Sequence, residues 1–123
     1  MSNKEVGFDT LHTLSGDSGI KSLESLRDFS EDLAKYVVEF AYGEIHSRDH
    51  FTLREKELLT LSSLLAQPGC ENALRFHYRA ALNIGMSKQE LIEIIIHCLP
   101  YVGFPKAMQG IEVLQEILQE TTQ

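Results

Sequence analysis

The apolar residues of this chain recur with the spacing of an α-helix from end to end. No stretch alternates apolar and polar residues for longer than a few positions, and no Asn-Gly or Asp-Gly pair marks a β-hairpin. Helical spacing covers residues 3–14 and 31–46, with a turn predicted at 16–19. Residues 20–29 fit either a short helix or an irregular wrap. The pattern predicts an all-α fold.

Two capping boxes mark where helices begin. Thr52 and Glu55 form the first, ahead of a helix starting at Leu53, and Ser87 and Glu90 form the second. In such a box each side chain accepts a hydrogen bond from the backbone N–H of the other residue. The boundaries of these two helices are therefore well predicted.

Glycine and proline mark the other boundaries. A Pro-Gly pair at 68–69 closes one helix, and Gly85 caps the next one, predicted over 71–83. Pro100 lacks an N–H and is predicted to end or kink its helix. Pro105 suits the first residue of a last helix that runs to about Glu120.

Composition restricts the class of protein. A chain of 123 residues with 43% hydrophobic and 24% charged residues predicts a single domain over 1–123. Within it we expect an N-terminal helical extension over 1–29 and a core over 30–123. The net charge is −7 and the basic residues are dispersed, which argues against a nucleic-acid partner. Without an apolar run for a signal peptide or a membrane span, we expect a cytoplasmic protein.

Two charged or polar side chains fall on apolar helix faces. On a helical wheel Glu57 lies within the leucine arc of its helix, and His77 lies opposite the polar stripe of the next helix. Helices joined by a short connection usually pack antiparallel, so we expect the two side chains to meet. Such a pair suits general acid–base catalysis, although a purely structural hydrogen bond is the alternative.

His97 and Cys70 are weaker candidates. His97 shares a helix face with Glu93, which predicts a surface histidine unless another subunit or the 101–105 loop covers that face. Cys70 and Cys98 lack CxxC spacing, so both are expected to be thiols in a reducing compartment.

Four stretches of the chain resemble the carboxymuconolactone decarboxylase family in order and spacing: YVVEFAYGEIHSR, LREKELLTLSSLLA, FHYRAALNIGMSKQELIEIIIHC and YVGFPKA. The resemblance implies the helical bundle shared with alkylhydroperoxidase D, in a homo-oligomer that is commonly a hexamer built as a ring of dimers or trimers. In the alkylhydroperoxidase branch, a CxxC pair precedes a histidine by four residues, with a glutamate upstream. Here Cys70 matches the first cysteine and Ala73 stands at the second, while Glu57 and His77 match the glutamate and the histidine.

The decarboxylase branch is the more similar, through the HxxxAL-N-G stretch and the HxxxYxGFP run. It implies decarboxylation of a small anionic carboxylated lactone to an enol-lactone in aromatic catabolism, with no metal or organic cofactor. By that resemblance His77 is the proton donor and Glu57 its partner, while His97, Tyr101 and Cys70 are substrate-binding residues. Two alternatives are a thiol-dependent peroxidase, with antioxidant activity acting through Cys70 alone, and a non-catalytic helical oligomer.

Overall fold

The computed structural model describes residues 1–121, and of Thr121 only the backbone. This part of the chain contains helices and no strand, so the all-α prediction is confirmed. It divides into two compact units, an N-terminal unit of residues 1–53 and a C-terminal unit from Arg54 onward. None of the helices within residues 1–121 is long and apolar enough to cross a membrane.

The N-terminal unit begins with α1, Asn3–Phe29. Gly16, at φ 62° and ψ −149°, interrupts the helical backbone inside it, a conformation that a residue with a Cβ rarely adopts. The turn predicted over 16–19 is therefore a kink at one glycine, because the helix resumes directly after it. Residues 20–29 are helical, which decides the ambiguity that the sequence left open.

A short helix α2, Glu31–Lys35, runs directly into a π-helix, π1, Tyr36–Ile45. The sequence predicted one helix over 31–46 with a wide apolar arc buried on several sides. The backbone is helical there, but the arc is not buried throughout, because Tyr36 and Phe40 are 64% and 54% exposed. The buried residues are Ala34 in α2 and, in the π-helix, whose wider turn is closed by i→i+5 hydrogen bonds, Val38, Tyr42 and Gly43.

Glycine allows α1 and π1 to approach closely. A Cβ placed on Gly7 would lie 1.8 Å from the carbonyl oxygen of Val38, and one on Gly43 would lie 2.2 Å from that of Asn3. Backbone atoms cannot move aside as a flexible side chain can. Both positions therefore require glycine for this crossing.

The C-terminal unit contains four helices: α3 Leu53–Leu65, α4 Glu71–Asn83, α5 Lys88–Val102 and α6 Phe104–Thr121. Their apolar faces form one core, whose most deeply buried members include Leu61, Leu65, Leu74, Tyr78, Ala81, Leu91, Val113, Leu114 and Ile117. Contacts of α6 with both α4 and α5 hold the unit together. The core places α3 and α4 so that their polar inward-facing residues lie within it.

The helix boundaries follow the sequence signals closely. The Ser87–Glu90 capping box is formed in both directions, with N···O distances of 3.0 and 3.1 Å. Gly85 follows α4 at φ 100°, as predicted for a helix stop. Pro100 does not end its helix, since α5 continues to Val102.

Candidate functional site

Glu57 is the one fully buried charged side chain among residues 1–121, at 0% exposure. It lies in the first half of α3, one turn before Leu61 and two turns before Leu65, and all three face the core. Leucines occupy the rest of that face of α3. When the face packs into the core, the carboxyl group of Glu57 is therefore buried together with the leucines. Removing a carboxylate from water is costly unless a partner compensates.

His77 supplies that partner from α4. Its Nδ1 lies 3.0 Å from Oε2 of Glu57, and its side chain is 13% exposed. The predicted contact between the two inward-facing side chains is therefore confirmed. Their catalytic roles stay a prediction, since the distance alone fits a structural hydrogen bond equally well.

One polar atom of each side chain takes no part in the hydrogen bond between Glu57 and His77. Oε1 of Glu57 is buried and has no hydrogen-bond partner among the described residues. When Glu57 is ionised it accepts the Nδ1 hydrogen of His77, and Nε2 is then the ring nitrogen left to act on a substrate. Because the imidazole is slightly exposed while the carboxyl group is fully buried, the histidine is the member that a ligand can reach.

Phe76 was not singled out from the sequence, yet it contacts the His77 ring. The two ring centroids lie 5.0 Å apart at an interplanar angle of 76°, an edge-on arrangement that aromatic rings favour. This contact and the hydrogen bond to Glu57 together restrict the orientation of the imidazole. The signal available in the sequence was an aromatic residue directly before an inward-facing histidine on a half-buried helix.

The structure places His97 on a groove of about 410 Å³ between α3 and α5. Arg54, Leu58 and Ser62 line it from α3, and the buried Cys98 lines it beside His97. Arg54 is paired with Glu90, so its charge is already compensated. Glu57 and His77 do not line this groove.

Tyr101 lies next to His97, with ring centroids 6.0 Å apart, and is 80% exposed. No hydrogen bond or ring contact joins either residue to the Glu57–His77 pair. As the sequence predicted, His97 is a surface histidine within this chain. The substrate-binding roles of both residues stay a prediction.

Cys70 immediately precedes α4 and is partly exposed. Its Sγ lies 3.9 Å from Oε1 of Gln67 and 3.8 Å from the carbonyl oxygen of Pro68, and both cysteines are free thiols. Its role in substrate binding stays a prediction. Within residues 1–121, no group of three or more His, Cys, Asp and Glu side chains is arranged to hold a metal ion.

The outer face of α4 carries a different kind of contact. Arg75 donates to Glu116 at 2.5 Å, and Arg79 donates to Glu120 at 2.9 and 2.8 Å. The hydrogen bond from Arg79 holds the pKa of Glu120 below its usual value, and the bond to Glu116 raises the pKa of Arg75. Both arginines are therefore engaged with carboxylates of α6.

The model of the carboxymuconolactone decarboxylase family matches residues 31–116, which include α2 to α5 and most of α6. The chain belongs to the carboxymuconolactone decarboxylase family. The resemblance recognised in the sequence is thus confirmed.

Two relatives of this chain are named as decarboxylases. The 4-carboxymuconolactone decarboxylase of Acinetobacter baylyi is 38% identical over 100 residues, covering 81% of this chain and 74% of the relative. A nitrosuccinic acid decarboxylase of Metarhizium robertsii is 26% identical over 125 residues, covering 91% and 87%. The chain is therefore related to decarboxylases whose named substrates differ.

Proposed function

We propose that this protein is a cofactor-free decarboxylase that acts on a small carboxylated lactone of the 4-carboxymuconolactone type. The observation that carries the proposal is the buried contact between Glu57 Oε2 and His77 Nδ1 at 3.0 Å. The relative named as a 4-carboxymuconolactone decarboxylase, at 38% identity, supports the choice of substrate. An enzyme of this kind is a carbon–carbon lyase.

The reaction needs a group that delivers a proton to carbon. As the bond between the ring and the carboxylate breaks, CO₂ leaves and its electron pair passes into the conjugated lactone as a dienolate. A proton then adds to a carbon of that dienolate, so one substrate and one proton give CO₂ and the enol-lactone. The proton comes from Nε2 of His77 and is replaced from water, while Glu57 stabilises the cationic imidazole through Nδ1.

Substrate binding is assigned to His97, Tyr101 and Cys70. His97 and Tyr101 are exposed in the single chain, so they take this role when another subunit covers that face. Homo-oligomeric assembly, as a trimer or a hexamer, is therefore part of the proposal. Cys70 lies on the chain just before the helix that carries His77.

The test follows the loss of the lactone chromophore and the release of CO₂ in wild type, His77→Gln and Glu57→Gln. Removal of a general acid or of its partner is expected to lower kcat by roughly 10²- to 10⁴-fold. His12→Gln is the matched control, because His12 forms an exposed pair with Asp17 at 3.4 Å, and it should keep wild-type turnover. Wild-type rates in both His77→Gln and Glu57→Gln would rule out the mechanism.

Two further substrates separate this proposal from its alternatives. Nitrosuccinic acid in place of the lactone tests the substrate class named for the second relative. Peroxide with a dithiol reductant tests thiol chemistry, and we expect no turnover that depends on Cys70. Peroxide reduction that disappears in Cys70→Ala would replace the decarboxylase proposal with a peroxidase.

A further inference from the structure

A cavity of about 340 Å³ lies within the N-terminal unit, between α1, α2 and the start of π1. Pockets that hold small molecules usually measure about 300–1,000 Å³, so the cavity suits a ligand of small size. All of its lining residues belong to the N-terminal unit, whereas Glu57 and His77 belong to the C-terminal unit. Those on α1 also precede residues 31–116, which the family model matches. Membership of the family therefore does not account for this cavity.

The kink at Gly16 brings the walls of the cavity together. Lys4 and Arg27 both line the cavity, although they stand near opposite ends of the 27-residue α1. A straight helix of that length would be about 40 Å long, which is far more than the width of a cavity of this volume. Gly16 has φ 62°, a value that glycine adopts without a steric penalty. Each half of α1 therefore forms one wall of the cavity, and α2 with the start of π1 forms the third.

The inner part of the cavity is apolar. It is formed by one side chain from each half of α1 and by two from α2 and π1: Phe8, Leu23, Ala34 and Val38. Leu23, Ala34 and Val38 are buried, and Phe8 is partly buried. An aliphatic or aromatic group that enters the cavity leaves water and contacts apolar side chains on all three walls, which favours its binding.

The charged residues of the lining carry both signs. Each wall contributes one cation: Lys4, Arg27 and Lys35. The carboxylates come from the second half of α1 and from α2 and π1: Glu24, Glu31, Asp32 and Glu39. Glu39 is partly buried, and the other six charged residues are exposed. The cavity thus combines an apolar interior with a mouth of mixed charge.

Direct contacts do not neutralise these charges. Among residues 1–121, none of the seven charged side chains takes part in an ion pair or a side-chain hydrogen bond. Lys35 and Glu39 are four residues apart, a spacing at which opposite charges often pair on a helix, and still no ion pair joins them. Both kinds of charge are therefore available to a ligand at the mouth of the cavity.

A ligand with charge of only one sign is poorly matched to this mouth. The carboxylates repel an anion, and the cations repel a second cation. A zwitterion avoids both penalties, because its negative group can lie against the cations while its positive group lies against the carboxylates. Charge complementarity therefore favours a small ligand that carries both charges beside an apolar group.

We propose that the cavity binds an α-amino acid with an aliphatic or aromatic side chain. The apolar side chain of the ligand packs against Phe8, Leu23 and Val38. Its carboxylate accepts hydrogen bonds from the cations of the mouth, Lys35 among them, and its ammonium group donates to the carboxylates, Glu39 among them. This inference does not depend on the proposed decarboxylase activity.

The first test titrates the full chain with L-leucine and with L-phenylalanine in a calorimeter. Saturable binding of one ligand per chain is expected for both. Two analogues of phenylalanine each lack one charge: 3-phenylpropanoate has no ammonium group, and 2-phenylethylamine has no carboxylate. Each should bind about tenfold more weakly than phenylalanine or worse, since each loses hydrogen bonds between charged groups.

Two variants of the lining assign the charges. Lys35→Gln should weaken the binding of phenylalanine and of 3-phenylpropanoate at least fivefold, without weakening the binding of 2-phenylethylamine. Glu39→Gln should weaken the binding of phenylalanine and of 2-phenylethylamine, but not of 3-phenylpropanoate. Lys21→Gln is the matched control, because Lys21 is an exposed lysine of α1 outside the lining, and it should keep wild-type affinities. Circular dichroism of each variant checks that helical content is retained.

A fluorescent reporter locates the bound ligand. The chain has no tryptophan, so Phe8→Trp introduces a single one into the lining. Its emission should change on addition of leucine, with the affinity that calorimetry gives for this variant. Phe29→Trp is the matched control, because Phe29 is 82% exposed and lies outside the lining, and its emission should stay constant.

Four outcomes would overturn the inference. The first is the absence of saturable binding of both leucine and phenylalanine at millimolar concentrations. The second is an analogue with a single charge that binds as tightly as phenylalanine. The third is an affinity for phenylalanine that neither Lys35→Gln nor Glu39→Gln changes. The fourth is calorimetric binding of leucine to Phe8→Trp without any change in its emission. Because none of these readouts uses catalysis, failure here leaves the proposed function standing, and the reverse also holds.

Discussion

The two faces of α4 carry contacts of similar length between a basic side chain and a carboxyl group, in opposite environments. On the inner face, His77 meets Glu57 at 3.0 Å with exposures of 13% and 0%. On the outer face, Arg79 meets Glu120 at 2.8 Å with both side chains about half exposed. Distance alone does not separate these pairs, but the surrounding dielectric does.

Burial decides what each pair can do. In the outer pair water competes for both partners, salt screens their attraction, and the guanidinium holds both oxygens of the carboxylate. In the inner pair neither water nor salt compensates a missing partner, and one oxygen of Glu57 remains unpaired. The outer pair thus joins α4 to α6 at the surface, whereas the inner pair holds a buried carboxyl group against a histidine that is slightly exposed.

The largest effect is expected from breaking the inner pair on one side. His77→Leu leaves Glu57 buried with neither oxygen paired, which should lower the free energy of unfolding by about 3 kcal/mol. The double variant Glu57→Met/His77→Leu removes both polar groups and should recover much of that loss. Urea denaturation of the single and double variants measures both values. A double variant as unstable as the sum of the two single changes would show that the pair is not energetically coupled.

A smaller effect is expected at Tyr78, a buried polar residue with a neutral partner. Its hydroxyl donates to the carbonyl oxygen of Gly110 at 3.0 Å, and Tyr78→Phe should lower the free energy of unfolding by about 1 kcal/mol. Burial also raises the pKa of Tyr78. The stabilising contribution is thus complete below the unfolded value near 10 and is lost as pH rises above it toward the folded value.

Urea unfolding at pH 8 and pH 11 checks both parts of this prediction. The difference between wild type and Tyr78→Phe should shrink at the higher pH, because wild type alone loses the contribution of the phenol. A constant difference would contradict the assigned linkage.

The smallest effect is expected from the outer pair. Arg79→Gln should shift the urea midpoint less than Tyr78→Phe does, and the shift should disappear in 1 M salt, where the screening length is about 3 Å.

The outer pair should also depend on pH. Since Arg79 lowers the pKa of Glu120, the contribution of this pair to stability is present above the unfolded pKa near 4.3 and is lost as pH falls through the lower folded value. Denaturation at pH 7 and pH 3 follows this loss, with Arg27→Gln as a control because Arg27 is an exposed arginine in the N-terminal unit. If Arg79→Gln shifts the urea midpoint as much as Tyr78→Phe does, and the shift persists in 1 M salt, the expected difference between the inner and outer faces of α4 is wrong.

Local sequence signals determined the helix ends and the direction of the Glu57 and His77 side chains. Ser87, Glu90 and Gly85 specify helix ends through hydrogen bonds and backbone angles that involve only their neighbours along the chain. The leucine spacing on α3 turns Glu57 inward, and the same reasoning places His77 inward on α4, so the contact between them was predictable. The family also followed from motifs written in the linear sequence.

Tertiary packing decided the inward-facing residues of the π-helix and the groove beside His97, because both features depend on residues far apart in the chain. The π-helix at Tyr36–Ile45 has no distinctive composition, and the inward-facing residues Val38 and Tyr42 are defined only once it forms. The groove that His97 lines depends on how α3 and α5 are placed around the core, which an amphipathic pattern does not specify. The periodicity of one helix thus indicates which side chains face inward. The arrangement of the other helices determines which residues those side chains contact.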